Sequence, residues 1–503
     1  MKKYTIKTAR NNSKVPAILD NNGMERPLHS LIDPQKEAAR LLGTRKGERF
    51  LIFLGLGGGF SVAHALDAAH GGDVQLILII DYDREGLDEL FKAIDYTPVM
   101  TDPRVFLLVD PAPAEIESFI VRRYQPILMN GMRVFPLRAR VDVEREAFKA
   151  AEAAIGRAIE QVRADYSVQA HFGLRWFSHI VQNIKTMSLM QKNAGYRCAG
   201  RRAFCPPKGK GVKCAAVTAA GPSLERSLPL LKEQRTRYFI IATDTSLPAL
   251  LAAGIEPDVA ISIDCQLWTY NHFFRGTRRI PLFLDLASSP LLAERSAAPY
   301  FFAGGHPLSL LFSRQQEIPE VDTSGGNVTY AAVSLAEAFG FGAETVELFG
   351  ADFSYPRGVT YARGTWLYPF YDKQQHRLSP TETFFSHLLY RTALEKRYAD
   401  GSWYYETPIL AMYRAKLAGR KRTARIAAHT AIPSVRSEHI SDTFLAVYRE
   451  RLRSLSLRHP SDAEGRLILT TLLPTAAALK YRSPELDGDL LLEAAREWCM
   501  KRL

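Results

Sequence analysis

Lys213-Cys214-Ala215-Ala216-Val217-Thr218-Ala219-Ala220-Gly221-Pro222-Ser223-Leu224 reads as a buried strand, a tight turn and the start of a helix. Pro222 has its φ pre-set for a first helical turn, and Ser223 can hydrogen-bond amides there. A turn of this kind aims backbone N–H groups and a helix dipole at whatever lies above the strand, which suits a phosphate. Downstream, Asp244, Asp264, Asp285, Asp322 and Asp352 each close or closely follow an apolar run. In an open α/β sheet the carboxyl ends of the strands form the ligand crevice. Acids there, beside an anion-binding turn, point to a phosphorylated ligand and leave room for a magnesium ion. Each acid also has a plainer reading as a helix cap or turn former.

Upstream, Phe50-Leu51-Ile52-Phe53-Leu54 is a short apolar strand running into Gly55-Leu56-Gly57-Gly58-Gly59-Phe60-Ser61, with a helix expected from about Val62 to Ala69. Leu76–Ile80, ending at Asp81, and Val105–Val109, ending at Asp110, are the next strands. Strand–helix alternation argues a parallel sheet. Gly55, Gly57 and Gly59 with Asp81 have the mechanics of a nucleotide or S-adenosylmethionine loop, in which glycines admit a ligand and the acid holds a ribose. Phe60 stands where the dinucleotide pattern needs another glycine, so the nicotinamide fingerprint fails. A methyltransferase-like loop and a tight loop-on-sheet packing both remain. The second is favoured because no methyl-acceptor machinery is visible.

The chain has 503 residues, too many for one core. The expected fold class is α/β: two Rossmann-like parallel-sheet domains followed by a C-terminal helical region. An N-terminal domain with a helical extension covers residues 1–195, a central domain 208–440, and the helical region 441–503. Helical spacing runs from about Val141 to Ser188, and the Gly-, Pro- and Arg-rich stretch Arg197–Lys213 reads as the linker. Hydrophobic content of 47% and charged content of 23% are ordinary for a globular protein. No apolar run approaches the roughly 20 residues of a membrane span, and the start has charge without an apolar core behind it. Cys198, Cys205, Cys214, Cys265 and Cys499 form no Cys-x-x-Cys pair, so free thiols in a reducing cytoplasm are expected. A net charge of +12 favours an anionic partner. The basic run Arg414, Lys416, Arg420, Lys421, Arg422, Arg425 lacks interleaved stacking aromatics and reads as a solvated helix face rather than a nucleic-acid site.

Four central segments, taken together, resemble a known family. They are Ala219-Ala220-Gly221-Pro222-Ser223-Leu224; Ile241-Ala242-Thr243-Asp244-Thr245-Ser246; Val259-Ala260-Ile261-Ser262-Ile263-Asp264; and Thr323-Ser324-Gly325-Gly326-Asn327-Val328 leading to Gly350-Ala351-Asp352-Phe353-Ser354-Tyr355. They are similar to the Maf-type motility-accessory family of flagellin glycosyltransferases, whose central domain is shared with archaeal 6-hydroxymethylpterin diphosphokinases. They also resemble bacterial CMP-sialic-acid-dependent sialyltransferases. The stretch His29–Ala38 extends the likeness to the N-terminal part of the Maf family.

The resemblance implies a cytoplasmic enzyme moving a nonulosonic acid from its CMP donor to Ser or Thr of flagellin. Gly221, Pro222 and Ser223 would meet the donor phosphate. The Ser324-Gly325-Gly326-Asn327 turn would meet the sugar carboxylate. Asp244, Asp264 and Asn327 are placed for the cytidine and ribose, with Asp352 in the same donor set. His387 is the base the likeness implies, with His376 and His306 as rivals, and Tyr355 and Tyr361 would hydrogen-bond the departing phosphate. Tyr355–Trp366 is long, aromatic and basic, so it reads as a lid. The C-terminal helices would dock the acceptor protein. Gly221→Val is expected to block the ligand while keeping the fold. Two further readings stay open: an ATP-dependent pterin diphosphokinase, and a flagellin-binding assembly factor with a decayed nucleotide site.

Overall fold

The computed structural model describes residues 4–20, 23–67, 73–194, 212, 214–273, 277–296, 298–316, 318–341, 343–399, 401–420, 441–457 and 462–503. The chain divides into two compact units. The first comprises residues 1–171 and 476–491, and the second 172–475 and 492–503. The division passes through the helices Arg145–Ala194, Ala463–Arg482 and Gly488–Met500. The expected boundaries at 195, 208 and 440, the linker, Cys198, Cys205, Lys421, Arg422 and Arg425 lie outside the described residues.

In the first unit an antiparallel sheet opens the chain: β1 (Tyr4–Thr8), β2 (Lys14–Leu19) and β3 (Glu25–Pro27). Sequence reading did not anticipate it. A parallel sheet follows, with β4 (Phe50–Leu54), β5 (Leu76–Asp81), β6 (Val105–Val109) and β7 (Met132–Pro136) in the order β6-β5-β4-β7. β4 and β5 are buried along their whole length, the mark of a parallel sheet covered on both faces. The glycine loop opens a helix at Phe60–Leu66, earlier and shorter than expected. The chain turns from β4 outward through β5 and β6, then returns to the other side of β4 with β7. The β4/β7 gap is therefore the topological switch point.

The second unit repeats this logic. β8 (Cys214–Thr218), β9 (Tyr238–Thr243), β10 (Val259–Ser262), β11 (Leu282–Asp285), β12 (Pro299–Phe302) and β13 (Thr345–Phe349) form one sheet, ordered β12-β11-β10-β9-β8-β13. All pairings are parallel. The switch point lies between β8 and β13. Helix Val328–Phe339 buries Ala331, Ala332, Leu335 and Ala336 against Val217, Ile241 and Ile261. Its small residues let it lie close to the strands. A small antiparallel sheet, β14 (Tyr355–Pro356), β15 (Glu395–Ala399) and β16 (Ser402–Glu406), was not legible in the sequence. The α/β class with two parallel sheets and a helical C-terminal region is what the chain has. Among the described residues no helix is long and apolar enough to cross a membrane.

Candidate functional site

The first switch point is filled by the protein itself. Asp81 accepts from Leu56 N at 2.9 Å and from Tyr82 N at 2.8 Å. It also takes both Nε and a terminal nitrogen of Arg140, at 2.9 and 2.7 Å. Arg140 is fully buried and also pairs with Glu144. A Cβ at Gly57 would press on His29 and on Leu137 Cδ2 at 2.6 Å, and Gly58 N donates to His29 Nε2 at 2.9 Å. Tyr96 OH closes on Gly57 O at 2.6 Å. The space that Gly55, Gly57 and Gly59 leave therefore holds side chains, and Asp81, buried and paired with Arg140, is closed to a ribose. This is the packing alternative.

At the second switch point the Gly221 turn carries a carboxylate. Asp352, just past β13, accepts from Ser223 N at 3.0 Å. The other amides of the turn are also engaged: Gly221 N with Gly350 O, Leu224 N with Gly221 O, and Glu225 N with Pro222 O. The expected open phosphate cradle is thus closed by an acid from the neighbouring strand end. A Cβ on Gly221 would lie 2.5 Å from Gly350 O and closer still to Asp352. A side chain at Gly221 therefore forces Asp352 and the Gly350 backbone to shift, so Gly221→Val alters the turn itself as well as any ligand space. Phe353, with φ of 46°, holds the chain turned immediately after Asp352.

All five strand-end acids accept from a backbone amide, so the turn-forming role applies to each. Asp244 takes Thr245 N, Asp264 takes Gln266 N, Asp285 takes Ala287 N, Asp322 takes Ser324 N, and Asp352 takes Ser223 N. Asp244, Asp264 and Asp285 share one electrostatic feature, a pKa raised by burial, and of these Asp244 and Asp264 also interact with each other through their charges. Burial raises the pKa of Asp244, opposed by hydrogen bonds from Ser262 Oγ at 2.6 Å and from Thr245. Burial raises Asp264 as well, and the charge of Asp244 adds to it, which places the two within electrostatic reach. Among the described residues no Lys or Arg pairs with either. Asp285 is pushed up to about 6 by burial, and its carboxylate fills the space against Gly304.

A histidine that sequence reading missed lies near Asp264. His272, on the short helical turn Leu267–Phe273 after β10, interacts electrostatically with Asp264. Its Nδ1 is buried without a hydrogen-bond partner, and burial depresses its pKa to about 4. The signal was available in Asp264-Cys-Gln-Leu-Trp-Thr-Tyr-Asn-His272, a strand-end acid followed within eight residues by aromatics and an imidazole. The three histidines named from sequence sit elsewhere. His387 is exposed on helix Thr381–Leu389, opposite the stripe of Thr381, Phe385 and Leu389. His376 is exposed in a turn bridged to Ser379. His306 is buried against Trp176, its Nδ1 accepts from Leu308 N, and its pKa is depressed to about 3.

The segment after Asp352 lies over the Gly221 turn. Ala362 N donates to Ala220 O at 2.9 Å, and Arg363 N to Glu225 Oε1 at 2.8 Å. This brings Tyr361 within electrostatic reach of Asp244, with burial raising its pKa first. Tyr355 is raised by burial also, on the strand paired with Tyr405. At Ser324–Asn327, Asn327 caps its helix by accepting from Tyr330 N, and Gly326 has φ of 75°. Lys416 Nζ reaches Ser324 O at 2.9 Å, while Arg420 lies over Tyr330 and pairs with Glu337. Arg414 pairs with Glu406. The described part of the basic run is thus tied to its own unit. Among the described residues no three His, Cys, Asp or Glu side chains come together as a metal set. With both oxygens of Asp244 engaged, the residues do not build a magnesium centre by themselves.

Residues 199–358 match the 6-hydroxymethylpterin diphosphokinase MptE-like family. An uncharacterised protein of Treponema pallidum is 32% identical over 200 residues, covering 37% of this chain and 70% of that protein. A second one is 28% identical over 186 residues, covering 36% and 80%. The Maf glycosyltransferase from Magnetospirillum magneticum AMB-1 superposes with a TM-score of 0.53 at 14% identity, over 100% of this chain and 87% of that one. The chain therefore belongs to one family with the first of the Treponema proteins and is Maf-type in fold, with an MptE-like domain at its centre.

Proposed function

We propose that this chain is a cytoplasmic glycosyltransferase that moves a CMP-activated nonulosonic acid to Ser or Thr of flagellin. The observation that carries this reading is the second crevice. It sets a helix-opening turn and the acids Asp244 and Asp264 past neighbouring strands beside a topological switch point, with Tyr361 on the segment that lies over the turn. The shared fold with a Maf glycosyltransferase supports it. In this reading the donor phosphate displaces Asp352 from Ser223 N, and the Ser324–Asn327 turn meets the sugar carboxylate. Transfer forms a bond from the acceptor hydroxyl oxygen to the anomeric carbon. The bond to the phosphate oxygen breaks with its electron pair leaving on CMP, and the hydroxyl proton passes to a base. His272, which lies near Asp264, fits that role better than the exposed His387. Tyr361 and Tyr355 donate toward the leaving phosphate.

Intact mass of flagellin from a deletion strain tests the reading, and unchanged mass would sink it. A second reading, ATP-dependent pyrophosphoryl transfer to a pterin, is favoured by the MptE-like match. Calorimetry separates the two: CMP or CTP binding supports the transferase, and ATP binding with a pterin supports the kinase. Binding of no nucleotide leaves a flagellin-binding factor without catalysis.

A further inference from the structure

After β10 the chain exposes two large apolar side chains side by side: Leu267 is 68% and Trp268 63% accessible. Thr269 and Phe273 of the same short helix are buried, so the turn is anchored from below while its outer face meets water. Trp268 lies nearly parallel to Trp366, with ring centroids 6.3 Å apart and planes at 12°. Trp366 also meets Phe370 at 5.3 Å, and the edge of His272 at 5.9 Å and 78°. The imidazole carries the buried, unpartnered Nδ1, and Asp264 lies within its electrostatic reach. An exposed indole, Trp268, stacked beside the half-buried Trp366 and next to an unspent imidazole nitrogen and an acid without a cation, makes an amphipathic surface: flat and apolar on one side, hydrogen-bonding on the other.

We propose that Trp268 and Trp366 form a stacking platform for a pyranose ring whose hydroxyls hydrogen-bond His272 and Asp264. The inference rests on the glycosyltransferase reading and adds to it a sugar subsite. Acids without a cation disfavour a phosphate here, whereas hydroxyls donate to a carboxylate and suit either tautomer of the imidazole. The platform follows β10, two strands from the Gly221 turn, or about 10 Å at ordinary strand spacing. It is therefore displaced from the place argued for the phosphate. The ring is either the donor's own sugar or one on the acceptor side.

The test measures binding of methyl N-acetylneuraminide, methyl N-acetylgalactosaminide and CMP to the whole chain by saturation-transfer NMR and calorimetry, with Trp268→Ala and Trp366→Ala beside it. At least one glycoside should bind, and each substitution should weaken it about fivefold or more, with CMP changed by less than about twofold. The neuraminide marks the donor's ring and the galactosaminide an acceptor-side glycan. Unchanged glycoside affinity in Trp268→Ala, or no glycoside binding to the parent chain, overturns the proposal. Loss of CMP affinity instead makes the platform a base-stacking site and overturns it equally. Glycoside binding at the tryptophans without any CMP binding leaves the subsite standing and removes the CMP donor.

Discussion

The two parallel sheets present the same crevice, closed in opposite ways. In the first unit a cation closes it: Arg140, just past β7, is spent on Asp81 and Glu144. In the second an acid closes it: Asp352, just past β13, caps Ser223 N, while Asp244 and Asp264 keep no cation among the described residues. A buried acid matched by a buried guanidinium is a structural solution, and it consumes the groups a ligand would need. Buried acids without a counter-charge are costly unless something else is gained, and perturbed acids gather at functional sites. Glycine turns after the first strand of each sheet thus separate into a strut and a candidate site by the charge of one residue just past the returning strand.

The largest effect expected follows from the strut. Arg140→Ala leaves Asp81 buried without its partner, and breaking such a pair costs about 3–5 kcal/mol. Urea unfolding should show that loss. The triple variant Arg140→Met, Asp81→Asn, Glu144→Gln should recover most of it, because no charge is then stranded. A single Arg140→Ala variant of normal stability would mean that the crevice is not held this way.

At the site, the comparison is sharpened by catalysis. A general base contributes roughly a hundredfold or more. His272→Ala should lower kcat by that order with CMP affinity spared, and the pH–rate profile should lose a limb. His387→Ala should keep near-normal turnover. The reverse pattern would restore His387 as the base. Asp264→Asn should cost about tenfold in kcat/KM, roughly 1.4 kcal/mol of transition-state stabilisation. Full activity in a destabilised Asp264→Asn protein would reduce this acid to a turn former like Asp285.

Asp352 gives a smaller, more diagnostic effect. Asp352→Ala removes a cap from the Gly221 turn, costing about 1 kcal/mol of stability. It also frees Ser223 N, so affinity for CMP should rise if the carboxylate occupies the phosphate's place. Calorimetry showing weaker CMP binding would instead make Asp352 a donor contact.

The parts of the chain legible in advance are those where one local rule decides. β4, β5, β6 and β8 are unbroken apolar runs and lie where they were expected. β7 was missed because Met132-Arg133-Val134-Phe135-Pro136 is short and carries Arg and Pro, and it is recruited as a strand by pairing with β4. β14 and β16 are set by pairing across about fifty residues of sequence, which no local pattern reveals. Asp244, Asp264, Asp285 and Asp352 lie at or just past strand ends, whereas Asp322 follows only an isolated bridge. What their carboxylates touch was not legible, because Asp352 meets Ser223 only through the order in which β13 joins β8.

The smallest effect expected is on pH, and it tests whether the second unit is the one carrying uncompensated groups. His179, His272 and His306 are depressed by burial to about 4, 4 and 3. The unfolded chain takes up protons at these histidines below about 6.5 while the folded one does not, so their contribution is present above 6.5 and lost as pH falls toward 4. Asp285, raised to about 6, has the opposite sign: its contribution is full below about 4 and lost as pH rises through 6. Between pH 7.5 and 5.5 the histidines dominate, and Tm should fall. His306→Gln should reduce that fall by about 2–4 °C, and Asp285→Asn should enlarge it, since the acid that offsets it is gone. Scanning calorimetry of the three proteins at both pH values decides the matter. Parallel Tm shifts in all three would mean that neither group titrates differently on folding, and that the second crevice is as well compensated as the first.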